Sequence, residues 1–175
     1  MNNYNSVIFS EAVAFAAEKH KNQTRKDGVT PYIYHPITVA KMVSDAGYSI
    51  KEQITAVLHD VIEDTDVEYK DILYFGKDIA DAVMLLSKSD DVTKGDYIEK
   101  ILQNHTAAVV KNFDRLSNLR DVKRLNNKEF AAHYYKDSEE YFYNRFSYAL
   151  DCEIKGIDLG NVTNSKEFRL YKDVE

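Results

Sequence analysis

Apolar residues fall at close to helical spacing along most of the chain, and the places where that spacing fails divide it into elements. Between Glu11 and His20 the apolar positions Ala12, Phe15, Ala16 and Ala17 predict a helix, with Ser10 placed to cap it. The period is lost from Lys21 to Tyr34, where polar residues, Asp27-Gly28 and Pro31 predict a loop. After His35, Pro36 suits the first position of a helix that Ile37, Val39, Ala40 and Val43 carry to Gly47. Ser49 and Glu52 form a capping-box pattern ahead of one continuous helix through Ile54, Val57, Leu58, Val61 and Ile62. Thr65 and Glu68 repeat it before a short helix that Gly76 ends, and Ile79, Ala82, Val83 and Leu86 mark the next. Ser87 to Gly95 is polar and reads as a loop, and Tyr97, Ile98, Ile101 and Leu102 predict a further helix. A longer one is expected from about Thr106 to Leu125, and a last one from about Glu129 to Leu150.

Composition strengthens the helical reading. Only 2 Pro and 6 Gly occur among 175 residues, too few for many short strands and tight turns. The length fits one domain, with no repeat or linker. The expected architecture is a single all-α helical bundle over residues 1–155, followed by an irregular tail, 156–175. A formal charge of -6 argues against a nucleic-acid partner, which needs a net basic surface. Two local basic clusters remain, Lys19, Lys21, Arg25 and Lys26 in one and Lys111, Arg115, Arg120, Lys123 and Arg124 in the other. They leave room for an anionic small molecule. The lone Cys152 fits a reducing compartment, no apolar run is long enough to span a membrane, and the N-terminus lacks a secretory pattern. A cytoplasmic protein with no membrane partner is expected.

His59-Asp60 is the centre of the candidate chemistry. The pair sits among Val57, Leu58, Val61 and Ile62, where an ionised carboxylate is costly unless paired or bound to a metal. Imidazole plus carboxylate suits Mn²⁺, Fe²⁺ or Zn²⁺ better than Ca²⁺. Glu63 and Asp64 lie one helical turn beyond His59 and Asp60, placed to handle a proton beside the metal. His35 stands at a loop-to-helix junction able to project an imidazole inward. Asp114 lies in an apolar helix with Asn118 one turn on and Arg115 beside it, a set suited to holding a metal next to phosphate. His20, His105 and His133 have no matching partners and read as surface or satisfied histidines. The tyrosines of the last helix, Tyr134, Tyr135, Tyr141, Tyr143 and Tyr148, read as packing.

Four segments occur in order: Arg25-Lys26-Asp27-Gly28, Pro31-Tyr32-Ile33-Tyr34-His35-Pro36, Leu58-His59-Asp60-Val61-Ile62-Glu63-Asp64-Thr65, and Val110-Lys111-Asn112-Phe113-Asp114-Arg115-Leu116-Ser117-Asn118-Leu119. This ordered set resembles the HD-domain hydrolases of the alarmone family: the hydrolase domain of Rel/SpoT enzymes and the stand-alone small alarmone hydrolases. The resemblance runs from about Glu11 to Arg124. It implies an all-α HD-domain fold in which His35, His59, Asp60 and Asp114 bind Mn²⁺ and Glu63 and Asp64 position or deprotonate the attacking water. Arg25 and Lys26 would contact substrate phosphates, and Asn118 would lie near the ribose and base. The implied reaction removes the 3′-pyrophosphate from ppGpp or pppGpp. Two other functions fit the same residues: an HD phosphatase acting on a nicotinamide 2′-phosphate or a nucleoside monophosphate, and a metal-bearing nucleotide sensor without turnover. Phe113 departs from the family pattern, which usually has a small residue there.

Overall fold

In the computed structural model, residues 4–125, 127–159 and 166–174 are described, and the helical segments account for nearly all of the regular structure among them. Helix α1 is Ser6–Lys19, α2 Tyr34–Asp45, α3 Ile50–Leu58, α4 Val61–Asp64 and α5 Tyr69–Ile72. They are followed by α6 Lys77–Leu86, α7 Lys94–Gln103, α8 His105–Arg124, α9 Lys128–Tyr141 and α10 Tyr148–Lys155. None of these helices is long and apolar enough to cross a membrane.

Helices α3 and α8 form the centre. Residues Ile54, Thr55, Ala56, Val57 and Leu58 of α3 are all buried, and α1, α2, α6 and α8 pack around them. Along α8 nearly every residue from Thr106 to Leu119 is buried, so that helix shows no single apolar face. Buried on most sides, it carries Asn112, Asp114, Arg115 and Ser117 into the interior, and each needs a partner there.

Helix ends differ from the sequence expectation where side chains cap differently. Asn5, not Ser10, caps α1, its Oδ1 accepting from the Val7 and Ile8 amides at 2.9 and 3.1 Å. Helix α2 begins at Tyr34, one residue before His35, and Pro36 falls inside its first turn, where no amide is required. The expected continuous helix through Ile62 is interrupted at His59-Asp60. His59 Nδ1 lies 2.7 Å from the Ala56 carbonyl, the group to which the Asp60 amide would donate in an unbroken helix. Asp60 takes φ −101°, ψ −5°, and α4 starts afresh at Val61.

The single helix expected from Glu129 to Leu150 is two helices. The Phe142 and Tyr143 amides both donate to the Ser138 carbonyl, Asn144 adopts φ 58°, and Ser147 caps α10 through the Leu150 amide. Phe142 and Phe146 stack with ring centroids 5.3 Å apart and both are buried. Their i,i+4 spacing reads as helix, yet here a turn brings the two rings together.

Beyond α10, Gly156 ends the helix in the left-handed conformation at φ 71°. Residues 166–174 form two short 3₁₀ turns and dock on the bundle. The Leu170 amide donates to the Tyr48 hydroxyl at 2.8 Å, that hydroxyl donates to Asp173 at 2.8 Å, and the Tyr171 amide reaches the Phe146 carbonyl at 2.8 Å. Phe113, fully buried, packs edge-on against the Tyr48 ring.

Candidate metal centre and substrate face

Two helices and the break between α3 and α4 bring four side chains together. His35 comes from the first turn of α2, His59 and Asp60 from the break, and Asp114 from the middle of α8. One ligand atom each from His35, His59 and Asp114 lies within 4.8 Å of the others, and all three residues are buried. His35 Nε2 is 3.1 Å from Asp114 Oδ1 and 3.8 Å from Asp60 Oδ2. His59 Nε2 is 3.1 Å from Asp60 Oδ1 and 3.6 Å from Asp114 Oδ1.

The orientation of each group is fixed from behind. With Nδ1–H of His59 donating to the Ala56 carbonyl, the lone pair of Nε2 faces the cluster. Nδ1 of His35 lies 3.5 Å from the Ser117 hydroxyl. Asp114 Oδ1 accepts from Asn118 Nδ2 at 2.6 Å and its Oδ2 from Lys111 Nζ at 2.9 Å. Burial alone would raise the Asp114 carboxyl, but Lys111 and the two imidazoles hold it well below the usual aspartate range. Burial likewise opposes ionisation of Asp60, and His59 overcomes it to hold that carboxyl at about 2.

These residues fit a divalent metal. His59 Nε2 is a buried polar atom with no hydrogen-bond partner. Asp60 Oδ1 and Asp114 Oδ1 lie 3.1 and 3.6 Å from it. Although burial disfavours a charged imidazole, Asp60 and Asp114 pull His59 up to about 10. The cluster therefore attracts positive charge, and its lone pairs and carboxylate oxygens converge on a common point. Such convergence of two imidazoles and two carboxylates suits a borderline or hard divalent ion.

Glu63 and Asp64 both lie on α4 beside this cluster. Glu63 Oε2 accepts from the Lys88 amide at 3.3 Å, and burial, with the nearby Asp60 and Asp64 charges, raises its carboxyl above the ordinary glutamate value. Asp64 Oδ2 is 2.8 Å from the Tyr32 hydroxyl, which also lies 2.7 Å from Asp60 Oδ2.

The four expected substrate contacts divide. Arg25 lies at the open side of the cluster, its guanidinium donating to Asn118 Oδ1 and Asp121 Oδ2, each at 2.9 Å. Asn118 thus links Arg25 to Asp114. Lys26 is exposed, with its ammonium 3.8 Å from the Phe130 ring centroid. Asp27, which reads in sequence as the nearest acid for these two, is engaged in its own turn. It accepts from the Val29 and Thr30 amides and the Thr30 hydroxyl, which hold its carboxyl at about 2. Arg115 is not brought to the cluster. It is buried against α9, bonded to the Ser138 hydroxyl, the Tyr134 carbonyl and the Asp137 carboxylate, and stacked on Tyr134.

Two residues that the sequence reading did not assign to the metal site join it. Lys111 is three positions before Asp114 on α8, a spacing that always permits contact and could have revealed it. Tyr32 sits in the loop and carries no local signal. His20, read as a surface or satisfied histidine, is buried and stacks on Tyr32 at 4.7 Å; its Nδ1 meets Gln23 Oε1 at 2.6 Å, and its Nε2 has no partner.

The profile of the HD domain family matches residues 12–144, a span holding every residue of the cluster. The chain belongs to the HD-domain family. Within that family it is 35% identical over 151 residues to guanosine-3′,5′-bis(diphosphate) 3′-pyrophosphohydrolase MESH1 of Danio rerio, covering 81% of this chain and 82% of the relative. The Homo sapiens enzyme of the same name is 38% identical over 143 residues, 75% of this chain and 77% of that one. A solved structure, of a metazoan orthologue of SpoT that hydrolyses ppGpp, superposes with a TM-score of 0.66 and 26% identity, covering 90% of each chain.

Proposed function

We propose that this HD-domain protein is a Mn²⁺-dependent (p)ppGpp 3′-pyrophosphohydrolase, with His35, His59, Asp60 and Asp114 as the metal ligands. The observation that carries this reading is the unpartnered, buried Nε2 of His59, held by its own helix to face Asp60 and Asp114. When bound, the ion would supply Lewis acidity, lowering the pKa of a water and orienting the phosphate. Relatives that are named for this hydrolysis extend over most of the chain and support the choice of substrate.

In the reaction, water oxygen attacks the phosphorus attached to the ribose 3′ oxygen, that P–O bond breaks, and pyrophosphate leaves as the 3′ oxygen takes a proton. Glu63 is the residue we assign to accept the proton of the water, because it lies on α4 beside the cluster and burial raises its carboxyl above the ordinary glutamate value. Asp64 orients the same water. Arg25 and Lys26 offset phosphate charge at the mouth, where the net charge of the protein repels an anion. Asn118 ties Arg25 to the metal ligand Asp114 and faces the nucleoside. Arg115 is assigned to hold α9 rather than to bind phosphate. The catalytic unit we assign is residues 1–155 with 156–175 appended, and the lone buried Cys152 favours the reducing cytoplasm.

The test is incubation of Mn²⁺-loaded protein with ppGpp, a nicotinamide 2′-phosphate dinucleotide and nucleoside monophosphates, resolving pyrophosphate from orthophosphate. Pyrophosphate from ppGpp is the expected product. Orthophosphate from the other nucleotides alone would identify an HD phosphatase, and tight binding without turnover a sensor.

A further inference from the structure

The loop before α2 delivers more than Arg25 and Lys26 to the site. It folds back on itself: the Arg25 amide donates to the Thr30 carbonyl at 2.8 Å and the Tyr32 amide to the Gln23 carbonyl at 2.9 Å. Tyr32 is thereby fixed three residues before His35. Its ring stacks on His20, meets the edge of His35 at 6.2 Å, and has the Arg25 guanidinium 5.6 Å from its centroid. Gln23 closes the arrangement, receiving His20 Nδ1 on Oε1 and donating from Nε2 to the Asp64 carbonyl at 2.6 Å. The ring thus has little freedom, and its hydroxyl is held between two carboxylates, 2.7 Å from Asp60 Oδ2 and 2.8 Å from Asp64 Oδ2.

We propose that Tyr32 is a positioning residue of the metal site, its hydroxyl shared between Asp60 and Asp64 so as to set the orientation of both carboxylates. Holding Oδ2 of Asp60 leaves Oδ1 on the side of His59 Nε2, 3.1 Å away, where the metal ligands converge. The same hydroxyl ties the exposed Asp64 to Asp60, despite the repulsion between the two acids. Groups that hold ligands from behind in this way typically change metal affinity or activity by about 10–100-fold when removed. A purely structural tyrosine would instead affect folding alone. The proposal rests on the metal ligands assigned above.

Tyr32→Phe tests it, because the ring and its stack on His20 remain while the hydroxyl is lost. In metal-stripped protein the thermal midpoint should stay within about 4 °C, corresponding to less than about 1 kcal/mol. Calorimetric titration with MnCl₂ should show affinity reduced about tenfold or more, and turnover of ppGpp should fall about 10–100-fold with KM changed less than about twofold. Combined with Asp64→Asn, the loss should be clearly less than the product of the single losses, as expected for groups acting through one contact. Mn²⁺ affinity and turnover both within about twofold of wild type would overturn the proposal. So would losses that follow the thermal midpoint alone. Because the titration needs no nucleotide, it decides the role of Tyr32 even if ppGpp proves not to be the substrate. A wild-type protein that binds Mn²⁺ but spares ppGpp would sink the proposed function and leave this inference standing.

Discussion

The candidate metal cluster and the basic face share two segments, the start of α2 with the loop entering it and the middle of α8, to which the cluster adds the break between α3 and α4, yet their side chains are fixed by different forces. Asp114 and Arg115 are sequence neighbours diverging by about 100° around α8. Asp114 points to His35 and His59, whereas Arg115 points to α9 and is held by Asp137 and Ser138. His35 and Arg25 divide similarly: the imidazole is buried against Asp60 and Asp114, and the guanidinium bridges Asn118 and Asp121 at the mouth. Within the cluster, burial forces every charge to find a partner, so geometry is strict. At the mouth a cation can choose among a protein carboxylate, a ring face or a phosphate. Residue type alone therefore marks the buried, converging side chains better than it marks the groups at the mouth.

The largest expected effect breaks the buried side. Asp114→Asn should abolish Mn²⁺ retention, read by elemental analysis, and reduce turnover to the detection limit. It also leaves the Lys111 ammonium without its carboxylate, so urea unfolding should show a loss of about 3–5 kcal/mol. Next, Glu63→Gln should keep metal content while lowering turnover by about 10²–10⁴-fold, because an amide cannot take the proton. Unchanged turnover would remove Glu63 from the mechanism.

The contrast between the two arginines is then sharpened by a pair of substitutions. Arg115→Met should cost about 3 kcal/mol in urea unfolding and leave KM for ppGpp within about twofold, since its partners are all within the protein. Arg25→Ala should do the reverse, raising KM for ppGpp about tenfold, more than for a monophosphate, with metal content unchanged. A large KM effect at Arg115 would erase the distinction drawn here. The smallest effect concerns pH. Burial opposes ionisation of Asp137, but Lys94 and Arg115 hold its carboxyl below the ordinary value of 3.8. Its contribution to stability is thus present above that value and lost as the pH falls through the depressed folded value. The stability gap between wild type and Asp137→Asn should narrow over the same acid window, measured by urea unfolding.

The all-helical class was legible in the apolar period, and the cost of a buried charge singled out Asp60 and Asp114, but that they come together with His35 and His59 was implied only by the resemblance. The ordered segments shared with alarmone hydrolases added the distance between them, which no single segment contains. The split at residues 142–147 was hidden because Phe142 and Phe146 have the same spacing in a helix and in the turn that stacks them. Tyr32 was hidden because its partners, Asp60 and Asp64, lie about thirty residues away and meet it only after the loop folds. Lys111 was within reach, three residues before Asp114. The burial of Arg115 was not, because its partners belong to a helix whose docking the sequence does not specify.

One consequence follows from how His59 is held. Its Nδ1 is oriented by the carbonyl of Ala56, three residues earlier in the same helix, and not by another side chain. Every amino acid carries that carbonyl. Replacing Ala56 therefore alters packing but leaves the hydrogen-bond acceptor in place, whereas His35 faces a serine hydroxyl that one substitution removes. The two histidines of the cluster thus differ in mutational robustness. The orientation of His59 is insulated from sequence drift at the position that supplies it, while that of His35 depends on Ser117 remaining what it is.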